Sequence, residues 1–193
     1  DAHLEIDKKS KVACETLLAK NLIVIAGEIS SSAQIEYGEI AKKVISDIGY
    51  DESFVGFNPH GCNILTSISK QSLDIDQGVE RGDKIGAGDQ GLMFGYAVNE
   101  TPEFMPLSIA MSHKILENLA TARKSKKVDF LWPDAKSQVT VEYADGKVKR
   151  VDAVVVSTQH SPDVTNDTLR SYVIDEVIRK TIPANWIDAK TKF

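Results

Sequence analysis

Gly86, Gly88 and Gly91 in the stretch GAGDQGLMFGYA fall in a G-x-G-x-x-G pattern, the spacing with which a backbone can approach the pyrophosphate of a dinucleotide. That chemistry has a structural condition. The first glycine must end an apolar strand, and the last must open a helix whose N-terminus faces the phosphates. Here the order is reversed: the preceding DIDQGVERGDKI is polar and loop-like, and the following LMFGYAV is apolar, aromatic and too short for a helix. An NAD-dependent oxidoreductase would rest on these three glycines alone, so they are read as serving another purpose.

The other residues able to do chemistry are Glu15 in ACET, Glu28 in AGEIS, Asp89 in GDQG, Lys136 in PDAKSQ, and the polar stretch 71–88. Pattern alone leaves each with a plain structural reading. A glutamate in a half-exposed strand can simply face solvent, and a lysine after Pro133-Asp134 can be a turn residue. The stretch 71–88 is acidic, carries Gly78, Gly82, Gly86 and Gly88, and shows no hydrophobic periodicity. A structureless connection of that length is either a functional mobile loop or an ordinary surface connection. Metal chemistry finds little support, because His3, His60, His113 and His160 are scattered without zinc spacing. Cys14 and Cys62 sit in apolar strand-like runs and are expected to be buried, reduced thiols. DIDQG lacks the further ligands of a calcium loop.

The elements that must position these residues follow from hydrophobic period. KVACETLLA and LIVIAGEIS flank the polar break Lys20-Asn21 and predict a hairpin. In SAQIEYGEIAKKVISDIGY, Ile35, Ile40, Val44, Ile45 and Ile48 share one helical face, with Ser32 as the expected cap and Gly49 as the left-handed stop. CNILTSISK and GLMFGYAV are expected strands. Leu107, Met111, Ile115 and Leu119 recur about every four residues and predict a helix over 106–123. SQVTVEY, the turn ADGK and VDAVVVSTQH predict a second hairpin, followed by a helix over 165–180 with Leu169, Val173, Val177 and Ile178 inward. The same hairpin-then-helix order appears twice. It implies two related α+β units, with helices packed on one face of antiparallel sheets.

A chain of 193 residues with 42% hydrophobic residues can build packed cores. Its net charge of -5 argues against a nucleic-acid surface, leaving KK at 8–9 and RKSKK at 123–127 as solvated loops or helix ends. No apolar run approaches a membrane span, and DAHLEIDKKS is not a signal peptide, so a cytoplasmic location is expected. The acceptor patterns at Asn99 and Asn166 are then chance matches. DAHLEID would suit the last turn of a helix, and AKTKF ends without a cap, so both ends look cut.

Read together and in order, VACET, GEIS, IGY, KQS, GAGDQGLMFGYA, NET, MPL, PDAKSQVTVEY and VVSTQHS resemble the S-adenosylmethionine synthetases, over essentially the whole chain. The resemblance implies three similar β-α-β-β-α-β domains, two of them represented incompletely here. Residues 1–85 would be a central-type α+β domain including a mobile loop at 71–84, 86–97 a connecting strand, and 98–193 a second domain of the same type. It also implies the chemistry. The methionine sulfur attacks C5′ of ATP and displaces triphosphate, which the same site hydrolyses to pyrophosphate and phosphate. Positive charge and positioning, rather than a protein nucleophile, carry such a step.

By the same resemblance, Lys136 is the catalytic lysine at the ATP phosphates, and Asp134 and Ala135 belong to the ATP-binding segment. Glu28 and Gln71 contact methionine, Asp89 lies at the active-site edge, and Glu15 is a K⁺ ligand. The implied partners are ATP, L-methionine, Mg²⁺, K⁺ and a second copy in a homodimer with shared active sites, alone or paired into a dimer of dimers; no nucleic acid or membrane is implied. Two residues depart from the family pattern. Leu73 stands where Pro is common, leaving the loop hinge less constrained, and Trp132 stands where Arg is common, removing a positive charge. The family's HPDK segment, with its histidine and Mg²⁺ ligand, would precede residue 1, and further lysines, an arginine and a second Mg²⁺ ligand would follow Phe193. The 193 residues alone are therefore expected to be inactive; the alternative function is a non-catalytic module that keeps dimerisation or weak nucleotide binding.

Overall fold

The computed structural model describes residues 1–50, 58–70, 80–81, 84–85 and 91–193, which separate into two compact units, 1–94 and 95–193. The α+β reading holds in each.

The first unit opens with a short helix α1 (Ala2–Ile6) and the expected hairpin, β1 (Lys11–Ala19) and β2 (Leu22–Ser30), turning at Lys20-Asn21. Helix α2 (Tyr37–Ile48) then carries the chain to β3 (Asn63–Ser69), which lies parallel to β2, so the sheet order is β1-β2-β3. Alternation along β2 buries Ile23, Ile25 and Ile29, and Ile23 and Ile25 pack with Ile45 of α2. Gly49 ends α2 in the left-handed region at φ 113°, as expected. His3 is buried and its Nε2 lies 2.8 Å from the Tyr37 hydroxyl, tying α1 to the start of α2.

Several expectations need correction here. Ser32 does not cap α2; its N–H and hydroxyl both donate to the Asp7 carboxylate at 2.9 Å, and the helix starts after Glu36 without a side-chain cap. Ile35 therefore precedes the helix, and Val44 and Ile48 are exposed at its rim. Cys14 is a free thiol as expected but exposed, because β1 is the edge strand and eight of its nine residues are exposed. Within the polar stretch, Glu80–Arg81 (β4) and Lys84–Ile85 (β5) form a short antiparallel ladder where no regular structure was expected.

Residues 91–98 are not a strand: they join no ladder among the described residues, and Leu92, Met93, Phe94 and Tyr96 are largely exposed. Alternating or aromatic composition does not make a strand without a neighbour for its backbone groups.

In the second unit, helix α3 (Leu107–Lys124) buries Leu107, Met111, Ile115 and Leu119, the four residues its period singled out. It packs on a two-stranded antiparallel sheet, β6 (Leu131–Ala144) and β7 (Lys147–His160). The hairpin turns on Asp145-Gly146, both at positive φ (51° and 72°), the conformation that the Asp-Gly pair favours. The helical stretch after β7 is α4 (Asn166–Tyr172), a π-helical segment Val173–Ile178, and α5 (Arg179–Thr181). It places Leu169, Val173, Val177 and Ile178 in the core as expected, although the π segment left no mark in the pattern. The Thr165 hydroxyl caps α4 by accepting from the Thr168 N–H.

A mostly buried arginine holds the last residues against the sheet. Arg150 donates to both Asp188 oxygens (2.8 and 3.1 Å), to Asp152 (2.6 Å) and to Glu142 (3.1 Å). The cation beside them, joined by the Lys149 ammonium at Glu142, holds all three carboxyls below their ordinary range. Such carboxylates contribute stability that is fully present above the unfolded value of about 4 and is lost as pH falls through their lowered folded values. Acidification below about pH 4 should therefore release residues 184–193 before the rest of the unit. The indole NMR signal of Trp186 in this segment should move to its unfolded position ahead of global unfolding, and a signal that moves only with it would contradict the account.

Candidate active site

The first unit brings two of the candidate carboxylates together. In the β1–β2 register Glu15 faces Ala26 and Glu28 faces Ala13, so the two glutamates are diagonal neighbours on one side of the sheet. That side is opposite the one bearing Ile23 and Ile25, which α2 covers. Both carboxylates are exposed. Glu28 also pairs with Ser69 at the end of β3.

The residue before Glu28 explains how closely the strands are set. Gly27 has φ 153°, and a Cβ there would lie 2.1 Å from the Ala13 carbonyl oxygen and 2.9 Å from the Cys14 Cα. No side chain fits, so GEIS needs its glycine for the close approach of β1.

Gln71, Leu73 and Asp89, with most of the 71–88 stretch, lie outside the described residues.

In the second unit PDAKSQ does not enter the hairpin as a turn; it lies inside β6. Lys136 pairs with Ser157 and Ala135 with Thr158 in the ladder, and the Lys136 side chain is exposed. The turn-lysine reading is thus excluded. Lys136 and Ala135 line a cleft of about 510 Å³ with Ser108, Ser112 and His113 of α3. The next hydroxyl, Ser137, donates to the Ser112 carbonyl at 2.7 Å and locks β6 to α3. Asp134 is exposed, and its N–H donates to the Gln159 side-chain oxygen at 3.4 Å.

Three other motifs converge on a structural junction to which no role was given from sequence. One oxygen of Glu100 in NET accepts the Leu107 N–H at 2.8 Å, capping α3, and accepts the Tyr143 hydroxyl at 2.9 Å. Burial, with the adjacent carboxylate, pushes the Tyr143 phenol up to about 12, so the hydroxyl remains a donor at neutral pH. Thr101 is buried and its hydroxyl bonds both the carbonyl (2.9 Å) and N–H (3.2 Å) of Met105. The segment NETPEFMPL thus sets the start of the helix that backs Lys136, and the capping Glu100 lies seven residues before the helix, beyond the usual capping distance that a sequence search would scan.

Among the described residues, no three His, Cys, Asp or Glu side chains gather as a metal site, and no helix is long and apolar enough to cross a membrane.

These features define an α+β protein that repeats a hairpin-and-helix unit, with acidic residues on one bare sheet face in one unit and a strand-borne lysine in the other. The family described as the N-terminal domain of S-adenosylmethionine synthetase matches residues 1–73, and the one described as its central domain matches residues 84–193. The chain belongs to the S-adenosylmethionine synthetases. It is 50% identical over 197 aligned residues to an S-adenosylmethionine synthase of Desulfosudis oleivorans, an alignment covering 100% of this chain and 51% of that protein. The chain therefore spans about half the length of the curated relative it matches.

Proposed function

We propose that the full-length protein makes S-adenosylmethionine from ATP and L-methionine, and that these residues carry part of its active site. The observation that carries the reading is Lys136, exposed on a strand and fixed at Ser157 and Ser137, beside Asp134 and Ala135, in a chain of this family. A lysine so held can keep its ammonium aimed at a polyanion, with little reorganisation as charge develops.

In the proposed reaction the methionine sulfur attacks C5′ of ATP, the C5′–O bond breaks with its electron pair leaving on the triphosphate, and water then splits triphosphate into pyrophosphate and phosphate. Lys136 neutralises the departing oxygen, while Asp134 and Ala135 hold the nucleotide. Glu28 takes the methionine ammonium, with Gln71 as a second methionine contact and Asp89 at the site's edge. The exposed carboxylate of Glu15, diagonal to Glu28, can offer one oxygen to K⁺. The described residues do not form a Mg²⁺ site.

The protein is proposed to work as a cytoplasmic homodimer with shared sites, alone or as a dimer of dimers. Its domains are taken as 1–85 and 98–193, joined through 86–97. Because the resemblance puts the HPDK segment and further lysines elsewhere, the 193 residues alone should form no S-adenosylmethionine. Chromatography of a reaction with a chain of verified mass checks this, and any enzyme-dependent product would refute it.

A further inference from the structure

The segment that carries Asp134 and Lys136 is held in an unusual way. The β6–β7 register runs from Leu131 opposite His160 to Ala135 opposite Thr158, so three residues of β6, Trp132, Pro133 and Asp134, stand against the single residue Gln159. Two extra residues keep the strand in phase: Leu131 and Val139 are both buried in the α3 core, while Lys136 stays on the exposed side.

Inside this bulge the backbone has lost its ladder. Pro133 has no N–H to give, and the N–H of Asp134 goes to the Gln159 side chain instead. On the other side Trp132 is half-buried, and with Pro133 it lines a cavity of about 250 Å³ formed against Leu116, Leu119 and Arg123 of α3 and Thr158 of β7. Two side chains thus stand at the bulge: Gln159, which accepts the Asp134 N–H, and the half-buried Trp132.

We propose that Gln159 and Trp132 are positioning residues for the nucleotide segment: together they clamp the bulge so that Asp134 and Lys136 are presented in one geometry. This deepens the reading of Asp134 to Lys136 as the ATP-binding segment and rests on it. Gln159 supplies an acceptor that the broken ladder cannot, and the half-buried Trp132 ring stands at the small cavity between the bulge and α3. Neither is required to touch substrate.

The test uses the full-length protein. Gln159→Leu removes the acceptor at similar size, and Gln159→Glu keeps an acceptor; Trp132→Ala removes the half-buried ring, and Trp132→Phe keeps an aromatic ring. Loosening by a fraction of an ångström is expected to raise KM for ATP about tenfold in Gln159→Leu and Trp132→Ala, with KM for methionine unchanged and substantial recovery in Gln159→Glu and Trp132→Phe. Amide hydrogen exchange at Asp134 should speed up in Gln159→Leu and not in Gln159→Glu. Wild-type KM for ATP in Gln159→Leu would overturn the proposal, as would equal increases in both KM values, which signal general loosening. If the unmodified protein makes no S-adenosylmethionine, the underlying functional reading fails instead, and exchange at Asp134 still decides whether the clamp exists.

Discussion

Replacing Lys136 by Met in the full-length protein is expected to lower kcat for S-adenosylmethionine formation by about 10²- to 10³-fold, the usual scale for losing one preorganised group at a site of developing charge. The fold should survive. Lys136 enters the β6–β7 ladder through its backbone, opposite Ser157, and its side chain is exposed rather than part of the core. Exposed positions of this kind seldom cost more than about 0.5 kcal/mol on substitution. A steady-state assay paired with thermal unfolding checks both halves. A variant with a near-normal melting temperature and a collapsed kcat fits the account; equal losses in both would make Lys136 structural, and normal turnover would remove it from the chemistry.

Gly27→Ala should cause a large loss of stability in the first unit. The new Cβ would meet the backbone of Ala13 at 2.1 Å, and a carbonyl cannot swing aside as the end of a flexible side chain can. The positive φ of 153° adds strain for any residue with a Cβ. We expect a cost of about 3 kcal/mol, in the range of overpacked core changes. Relief requires β1 to move away from β2, which separates Glu15 from Glu28 and should also raise KM for methionine. Thermal unfolding and methionine kinetics test the two consequences, and an unchanged melting temperature would contradict the close approach.

Much of this architecture is legible in the residues because period and turn chemistry agree. KVACETLLA and LIVIAGEIS can only fold back on each other at Lys20-Asn21, and the four-residue recurrence of Leu107, Met111, Ile115 and Leu119 matches the buried face of α3. The misreadings share a different cause, which is that a partner far along the chain changes what a local pattern means. Ser32 has the chemistry of a helix cap, yet Asp7, 25 residues earlier, takes both its donors. Cys14 alternates like a core residue, but β1 is an edge strand with no further strand beyond it among the described residues.

The placement of the candidate residues is readable in part for the same reasons. Glu15 and Glu28 fall on one face once the hairpin register is known, and that register follows from the two-residue break. PDAK offers a turn reading because Pro-Asp is turn chemistry, and the three-against-one bulge opposite Gln159 admits its proline to β6. Nothing in local sequence pairs Asp134 with Gln159, 25 positions away.

The most direct measurement is the product balance of the full-length protein given ATP and L-methionine, followed by chromatography of all three expected products. S-adenosylmethionine, pyrophosphate and phosphate are expected in equal amounts, with production nearly abolished in Lys136→Met. Hydrolysis of ATP without S-adenosylmethionine, or undiminished synthesis by Lys136→Met, would contradict the account.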